Sequence, residues 1–268
     1  MFGPEGDDGG LLVLTAIPEE RAAVERALRD AGFDAERAAT HGAAGTARVR
    51  TIATGDGGLR AGRVAREAIA AVRPAAVIGA GVAGGLSEDL VAGEIVVSAR
   101  VFDAAEEAPP PDANLVGRAL ALPGLRAATL LSVVRPALSR AQKAALLVHV
   151  EAATKGAAGT AGVATDGAAG TACVDMESSA WARACADAGV PYVILRAISD
   201  TADEDLPGYL ALCMDTEGGI RRSAVAWNAV LHPASIPALL RMRRRVADCG
   251  RSLGAAVAAL AGSLAAAR

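Results

Sequence analysis

The chain is poor in aromatics. Two Trp, two Tyr and three Phe make up 3% of 268 residues. Its core must therefore be assembled from small aliphatic side chains, chiefly Ala, Val and Leu, and Ala also favours helix. Histidine is scarcer: His41, His149 and His232 stand far apart, so no clustered set of metal ligands is present and no metal site is expected. The four cysteines, Cys173, Cys185, Cys213 and Cys249, are widely spaced with no CxxC pair. That pattern fits reduced thiols in a cytoplasmic protein. An excess of charge is also missing. Net charge is −3 with a pI near 5.7, whereas a nucleic-acid partner calls for a basic field. No uncharged run reaches the roughly 20 strongly apolar residues of a membrane span. The acidic, Gly-rich stretch 1–10 lacks the apolar centre of a secretory leader and reads as a flexible tail.

Short apolar runs alternate with amphipathic helices. LLVLTAI at 11–17 is a continuous apolar run, the pattern of a strand buried on both faces. Pro18 suits a first helical turn, and Glu19 and Glu20 complement the helix N-terminus. Further strands are expected over 47–55, 75–86, 94–103 and 126–134, with a helix over 139–150. This alternation implies an α/β fold: one domain over 11–268 with a central twisted mixed, largely parallel sheet flanked by helices. The Gly-rich turn GDGGLR, with Arg60 and Arg63 nearby, is either a tight βα turn or an anion cradle.

Gly79-Ala80-Gly81-Val82-Ala83-Gly84 spells GxGxxG, with Asp103 about 20 residues on. The context rejects a dinucleotide site. Only SEDLVA separates Gly85-Leu86 from Gly93, and a crossover with its helix needs ~10–12 residues. These glycines instead let a ligand approach the backbone at a strand end. ATHGAAGTA at 39–47, ATKGAAGTA at 153–161 and ATDGAAGTA at 164–172 are near-copies. The segment 151–172 reads as a duplicated, low-complexity insertion forming a mobile loop, since such sequence buries too little apolar area to offset its ordering entropy. RMRRR at 241–245 lies on a C-terminal helix, as a solvated basic face or as a peripheral contact with a membrane surface or an acidic partner.

Two motifs carry the chemistry. CVDMESSA at 173–180 places Glu177 at a helix start, and RAISD at 196–200 places Asp200 at a strand end. With Glu20, three carboxylates fall at the ends of strands, where α/β sheets bind ligands.

These segments resemble a known family. LLVLTAIPEERAAV, AAVIGAGVAGGLSEDLVAGEIVVSARVFD and VDMESSAWARACADAGVPYVILRAISDTAD, in that order, are similar to the purine nucleoside phosphorylase/nucleosidase superfamily. VxME with RAISD most resembles methylthioadenosine/S-adenosylhomocysteine nucleosidases. SRAQKAALLVHV and the segment from LPGYLALCMDTEGG to IPALLRM resemble the hopanoid-biosynthesis-associated branch, implicated in releasing adenine from adenosylhopane. The resemblance implies a cytoplasmic, cofactor-free enzyme that hydrolyses the N-glycosidic bond of a 5′-substituted adenine nucleoside and assembles as a homo-oligomer. It makes Asp200 the acid that protonates the departing purine, held by Ser199, and burial is expected to raise its pKa. Glu177 would accept the ribose hydroxyls, Met176 pack under the sugar, and Glu20 orient the attacking water. Val82, Ala83 and Gly84 would form the wall of the site.

Two departures bear on substrate. Phosphorylases of the family carry a Gly-Asp-Pro turn and a following Arg after the first strand; here the sequence is Ala16-Ile17-Pro18-Glu19-Glu20. Water is thereby implied as nucleophile, with Arg21 and Arg60 keeping open the alternative of a phosphate-dependent phosphorylase. Ser132-Val133-Val134-Arg135-Pro136 stands where the nucleosidases carry an aromatic that stacks on adenine. Phe102, Tyr209 and Trp227 are the aromatics in plausible reach. A non-catalytic nucleoside-binding protein on the same fold is the other alternative.

Overall fold

The structure is a computed structural model that describes residues 9–37, 49–156, 170–215, 219, 221–232 and 236–266. Its strands are β1 (Leu11–Thr15), β2 (Ala35–Arg37), β3 (Val49–Ala53), β4 (Ala76–Gly85), β5 (Ile95–Phe102), β6 (Leu125–Ser132), β7 (Ala172–Asp175) and β8 (Tyr192–Asp200). The helices are α1 (Pro18–Asp30), α2 (Gly58–Val72), α3 (Ala113–Leu120), α4 (Arg140–Gly156), α5 (Ser178–Asp187), α6 (Arg222–Leu231) and α7 (Ile236–Ala265), with a 3-10 turn at Gly208–Cys213.

The expected α/β architecture is present: one mixed, mostly parallel sheet between helices. Its order is β2-β3-β1-β4-β7-β6-β5-β8. A feature absent from the sequence reading is that β4 also pairs with β8. Strands β4, β7, β6, β5 and β8 thus close on themselves, and β1, β3 and β2 extend the sheet from the ring. β4 makes this possible because its edges are shared. It pairs with β8 from Val77 to Gly84, with β1 over Ala76–Gly79, and with β7 only at Gly84 and Gly85.

The burial pattern explains the continuous apolar runs. Leu12 and Leu14 of β1, with Ile194 of β8, pack against α2 and α5. The alternate residues Leu11, Val13, Val193 and Leu195 pack against α1, α3 and α7. Both faces of the central strands are covered, so period-two alternation of polar and apolar residues never develops. Small side chains then let helices approach closely. A Cβ added at Gly254 of α7 would lie 2.8 Å from the Ala23 carbonyl oxygen of α1.

The tail and insertion have narrower limits than expected. Gly9 and Gly10 belong to the body, where their carbonyls accept from Ala75 N–H at 2.9 and 3.0 Å. Residues 151–156 continue α4, and Ala172 opens β7. Residues 1–8, 157–169 and the whole copy at 39–47 lie outside the described residues.

Gly254→Ala tests the α1–α7 contact. Ala is the better helix former by about 1 kcal/mol, yet its methyl meets backbone. A net loss of about 1–3 kcal/mol in urea unfolding is expected. A gain in stability would show that the helices do not touch there.

Candidate active site

A cavity of about 850 Å³ opens beside the ends of β1, β4, β7 and β8. The eight residues to which the resemblance assigns site roles all line it. Glu20, Glu177 and Asp200 contribute carboxylates, and Met176 and Ser199 lie beside them. Val82, Ala83 and Gly84 form the β4 wall.

Glu20 is the third residue of α1, so its side chain turns back over the β1–α1 connection. Its Oε2 accepts from the N–H of Ala16 at 2.9 Å and of Ile17 at 3.1 Å, and its Oε1 accepts from Val82 N–H at 3.0 Å. Three of roughly four acceptor positions are used, which leaves one for a ligand or water. Burial raises the Glu20 pKa above the usual carboxylate range, against the nearby Arg196 guanidinium and these backbone bonds.

Glu177 immediately precedes α5. Its Oε1 accepts from Gly57 N–H at 3.0 Å, and its Oε2 lies 3.7 Å from Arg196 Nη2. Burial and the Asp175 charge push it up to about 8, with Arg196 and the Gly57 bond acting the other way. The Gly-rich turn is thus an anion cradle, but the anion is the protein's own Glu177. The arginines near that turn are engaged elsewhere: Arg60 with Asp215 at 3.1 Å, and Arg63 with Glu67 at 3.8 Å.

Asp200 ends β8. Ser199 Oγ lies 2.6 Å from its Oδ1 and 3.2 Å from the Ala83 carbonyl oxygen. The surroundings are not simply apolar. Lys143 of α4, fully buried, places Nζ 2.6 Å from Asp200 Oδ2. The same ammonium donates to the carbonyls of Thr201 at 2.5 Å and Glu204 at 2.9 Å. Three acceptors converge on three N–H donors, a need that the compact Lys head meets and the planar guanidinium does not.

Arg196, Asp175, Ser178 and Lys143 were not assigned from sequence. Arg196 is 1% exposed. Its guanidinium binds the Asp175 carboxylate, donates to Ser178 Oγ at 2.8 Å and to the Val82 carbonyl at 3.3 Å, and stacks 4.8 Å over the Trp181 ring. Gly81 of β4 serves this packing, while Gly84 faces the cavity. A Cβ at Gly81 would lie 2.1 Å from Arg196 Nη1, and one at Gly84 would lie 3.0 Å from Asp200 Oδ2.

The aromatics are not at the site. Phe102 is buried in a separate cluster under α4, Tyr209 stacks on His232 with ring centroids 5.8 Å apart, and Trp227 is 66% exposed. Aliphatic groups, among them Val133, Pro136 and Leu138, line the cavity where a ring was sought. The cavity then continues between helices, past Ala22 and Ala23 of α1, Val225 of α6, and Met242 and Val246 of α7.

Fold and motifs together define a class. The chain belongs to the phosphorylase superfamily, whose family model matches residues 11–223. Solved structures similar to it include a 5′-methylthioadenosine/S-adenosylhomocysteine nucleosidase from Helicobacter pylori, with 16% identity, TM-score 0.64, and 95% of this chain and 98% of that one covered. The corresponding nucleosidase from Neisseria meningitidis, complexed with methylthio-immucillin-A, gives 18% identity, TM-score 0.65 and coverage of 95% and 99%. Futalosine hydrolase of Helicobacter pylori gives 16% identity, TM-score 0.65 and coverage of 95% and 97%. At these identities the likeness is one of fold.

Two stability measurements test the electrostatics. Glu177 releases its proton near its ordinary value of 4.5 when unfolded but near 8 when folded. Between those values the folded state holds a proton that the unfolded state has lost, so stability falls as pH rises, by about 1.4 kcal/mol per pH unit at most. Glu177→Gln should flatten that slope in urea unfolding between about pH 5 and 8. Some slope should remain, because Glu20 is raised in the same direction. Equal slopes in both proteins would contradict the assignment. In the second measurement, Asp200→Asn leaves the Lys143 ammonium without its counter-charge and should cost about 3–5 kcal/mol. Adding Lys143→Met should restore part of that loss, whereas additive losses would show the pair is not coupled.

Proposed function

We propose that the protein is a purine nucleosidase that hydrolyses the N-glycosidic bond of a 5′-substituted adenine nucleoside and releases adenine. The observation that carries this reading is the convergence of three separately held carboxylates on one cavity. Two of them, Glu20 and Asp200, anchor two residues apart along β4, at Val82 and Gly84. The solved structures of similar fold include nucleosidases and a futalosine hydrolase, which supports nucleoside cleavage as the chemistry.

Cleavage of a C–N glycoside builds positive charge on the sugar and negative charge on the departing base. Asp200, positioned by Ser199, passes a proton to the purine and takes one in return from the Lys143 ammonium paired with it, so the pair supplies the proton and Lys143 is left as the neutral amine. Glu177 accepts hydrogen bonds from the ribose hydroxyls. Met176 packs against the sugar. Glu20, with its remaining acceptor site, orients a water toward the anomeric carbon and takes its proton. The carboxylates around the sugar stabilise its developing charge without reorganising. The Val82–Gly84 backbone walls the site.

Water is favoured over phosphate because neither Arg21 nor Arg60 lines the cavity. Arg60 is paired with Asp215, and Arg21 sits 3.4 Å from Glu25. The helical extension of the cavity, lined by Ala22, Val225 and Met242, favours a large apolar 5′ substituent, such as the polycyclic hydrocarbon of adenosylhopane, over a small thioether.

The test is adenine release from methylthioadenosine, S-adenosylhomocysteine and an adenosyl lipid, with and without phosphate. Expected are phosphate-independent turnover, a higher kcat/KM for the lipid, and a loss of about 10²–10⁴-fold in Asp200→Asn protein verified as folded. No adenine from any substrate would overturn the proposal, and strict phosphate dependence would make the protein a phosphorylase.

A further inference from the structure

Helix α6 is apolar on the side that faces away from the protein. Val225 lines the cavity. At 100° per residue, Trp227, Val230 and Leu231 fall on the opposite side of the helix. They are 66%, 70% and 58% exposed. The neighbouring elements continue this surface chemistry. Leu212 of the 3-10 turn is exposed, as are Ile236 and Leu240 in the first turns of α7. Scattered exposed apolar residues are ordinary, but a helix with its apolar side outward is not explained by core packing.

The charge of this region is equally one-sided. Residues 221–247 contain six arginines and no Asp or Glu, in a chain whose net charge is −3. Arg245 is used internally, binding Glu204 and the Ser199 carbonyl. Arg241, Arg243 and Arg244 are exposed and follow Ile236 and Leu240 along α7. They have no carboxylate partner among the described residues.

We propose that the outer face of α6 and the first turns of α7 dock on an anionic lipid bilayer. Trp227, Val230 and Leu231 enter the headgroup boundary, and Arg241 and Arg244 face lipid phosphates. An aromatic and two aliphatic side chains beside arginines is the composition of an interfacial helix. A second copy of the chain fits less well, because a two-fold contact uses the same patch from both subunits and would bring both arginine clusters into one interface, with no acid in residues 221–247 to offset them. No helix among the described residues is long and apolar enough to cross a membrane, so the contact is peripheral. Val225, Leu210, Met242 and Arg243 line the cavity from these same elements. A nucleoside carrying a lipid tail would therefore reach the acids from the docked side, and this one consequence rests on the nucleosidase reading. The docking itself does not.

The full chain is sedimented with vesicles of phosphatidylglycerol and phosphatidylcholine, and with vesicles of phosphatidylcholine alone. Pelleting is expected with the anionic vesicles only, and it should be released as salt is raised. The emission of Trp227 should shift to the blue while Trp181, already buried, contributes a constant signal. Arg241→Ser with Arg244→Ser, neither lining the cavity, should weaken binding by roughly thirtyfold. Trp227→Ser with Leu231→Ser should abolish the spectral shift, while Arg63→Ser on α2 should change nothing. Absence of pelleting with anionic vesicles would overturn the proposal. So would a lipid-free dimer that the Trp227 variant converts to monomer. Because the readout is sedimentation rather than adenine release, its failure leaves the nucleosidase reading standing, and the reverse holds too.

Discussion

The buried guanidinium of Arg196 is the constraint on which the site depends. A charge removed from water costs several kcal/mol unless its hydrogen-bonding capacity is met. Here the partners come from separate elements: Asp175 from the end of β7, Ser178 from the start of α5, the Val82 carbonyl from β4, and the Trp181 ring from α5. None of them alone is sufficient, so β4, β7, β8 and α5 must arrive in one arrangement. The pairing of Gly81 with Arg196 across β4 and β8 fixes that register. A slip of one residue would turn the guanidinium to the opposite face of the sheet, and any side chain at position 81 would occupy its place.

Charge is then distributed unevenly along the cavity. Asp200 has a cation to itself in Lys143. Glu20, Asp175 and Glu177 share Arg196. The Arg196 region therefore carries more carboxylate than cation, and the raised pKa values of Glu20 and Glu177 express that imbalance together with burial. On the proposed reading the imbalance has a use. Surplus negative potential surrounds the sugar, where an oxocarbenium charge would develop. The neutralised end faces the base, where a proton must be given and a carboxylate left behind. Such preorganised charge acts without rearrangement during reaction, and its cost appears instead as a fold that grows less stable toward alkaline pH.

Much of this was legible in the chain because it is local. The apolar run ending at Pro18 marks both β1 and the turn that aims Glu20, and the motifs at 173–180 and 196–200 each carry an acid to a strand end. Contacts between distant segments were not legible. Closure of the ring through β4 and β8 depends on β4 sharing its edges, which no periodicity records. The GDGGLR turn has an anion cradle's composition, but that its occupant is Glu177, 120 positions away, follows only from the fold. Lys143 lies in a helix that looks like any amphipathic surface helix, and its burial becomes visible only when α4 closes over Asp200. At Gly81 the space is taken by Arg196, and local sequence cannot distinguish a ligand from a side chain of a neighbouring strand. The aromatics misled for the opposite reason: their scarcity made each one a candidate for the base, yet none lines the cavity.

That absence bears on where affinity for a substrate comes from. A stacked aromatic contributes both contact area and a preferred ring geometry. The aliphatic lining of Val133, Pro136 and Leu138 offers area alone. The extension between α1, α6 and α7 offers a second surface, apolar at Ala22, Val225, Met242 and Val246 and edged by Arg26, Arg243 and Arg251. At about 25 cal/mol per Å², a bulky apolar 5′ group filling that extension would supply more binding free energy than a small thioether could. Binding energy gained far from the reacting bond can hold the sugar in line with Glu20 and the base against Asp200. On the proposed reading, the strand-built half of the cavity carries chemistry that tolerates little change. The helix-built half can be re-lined without moving a carboxylate, and it is there that this chain has the means to select a substrate of its own.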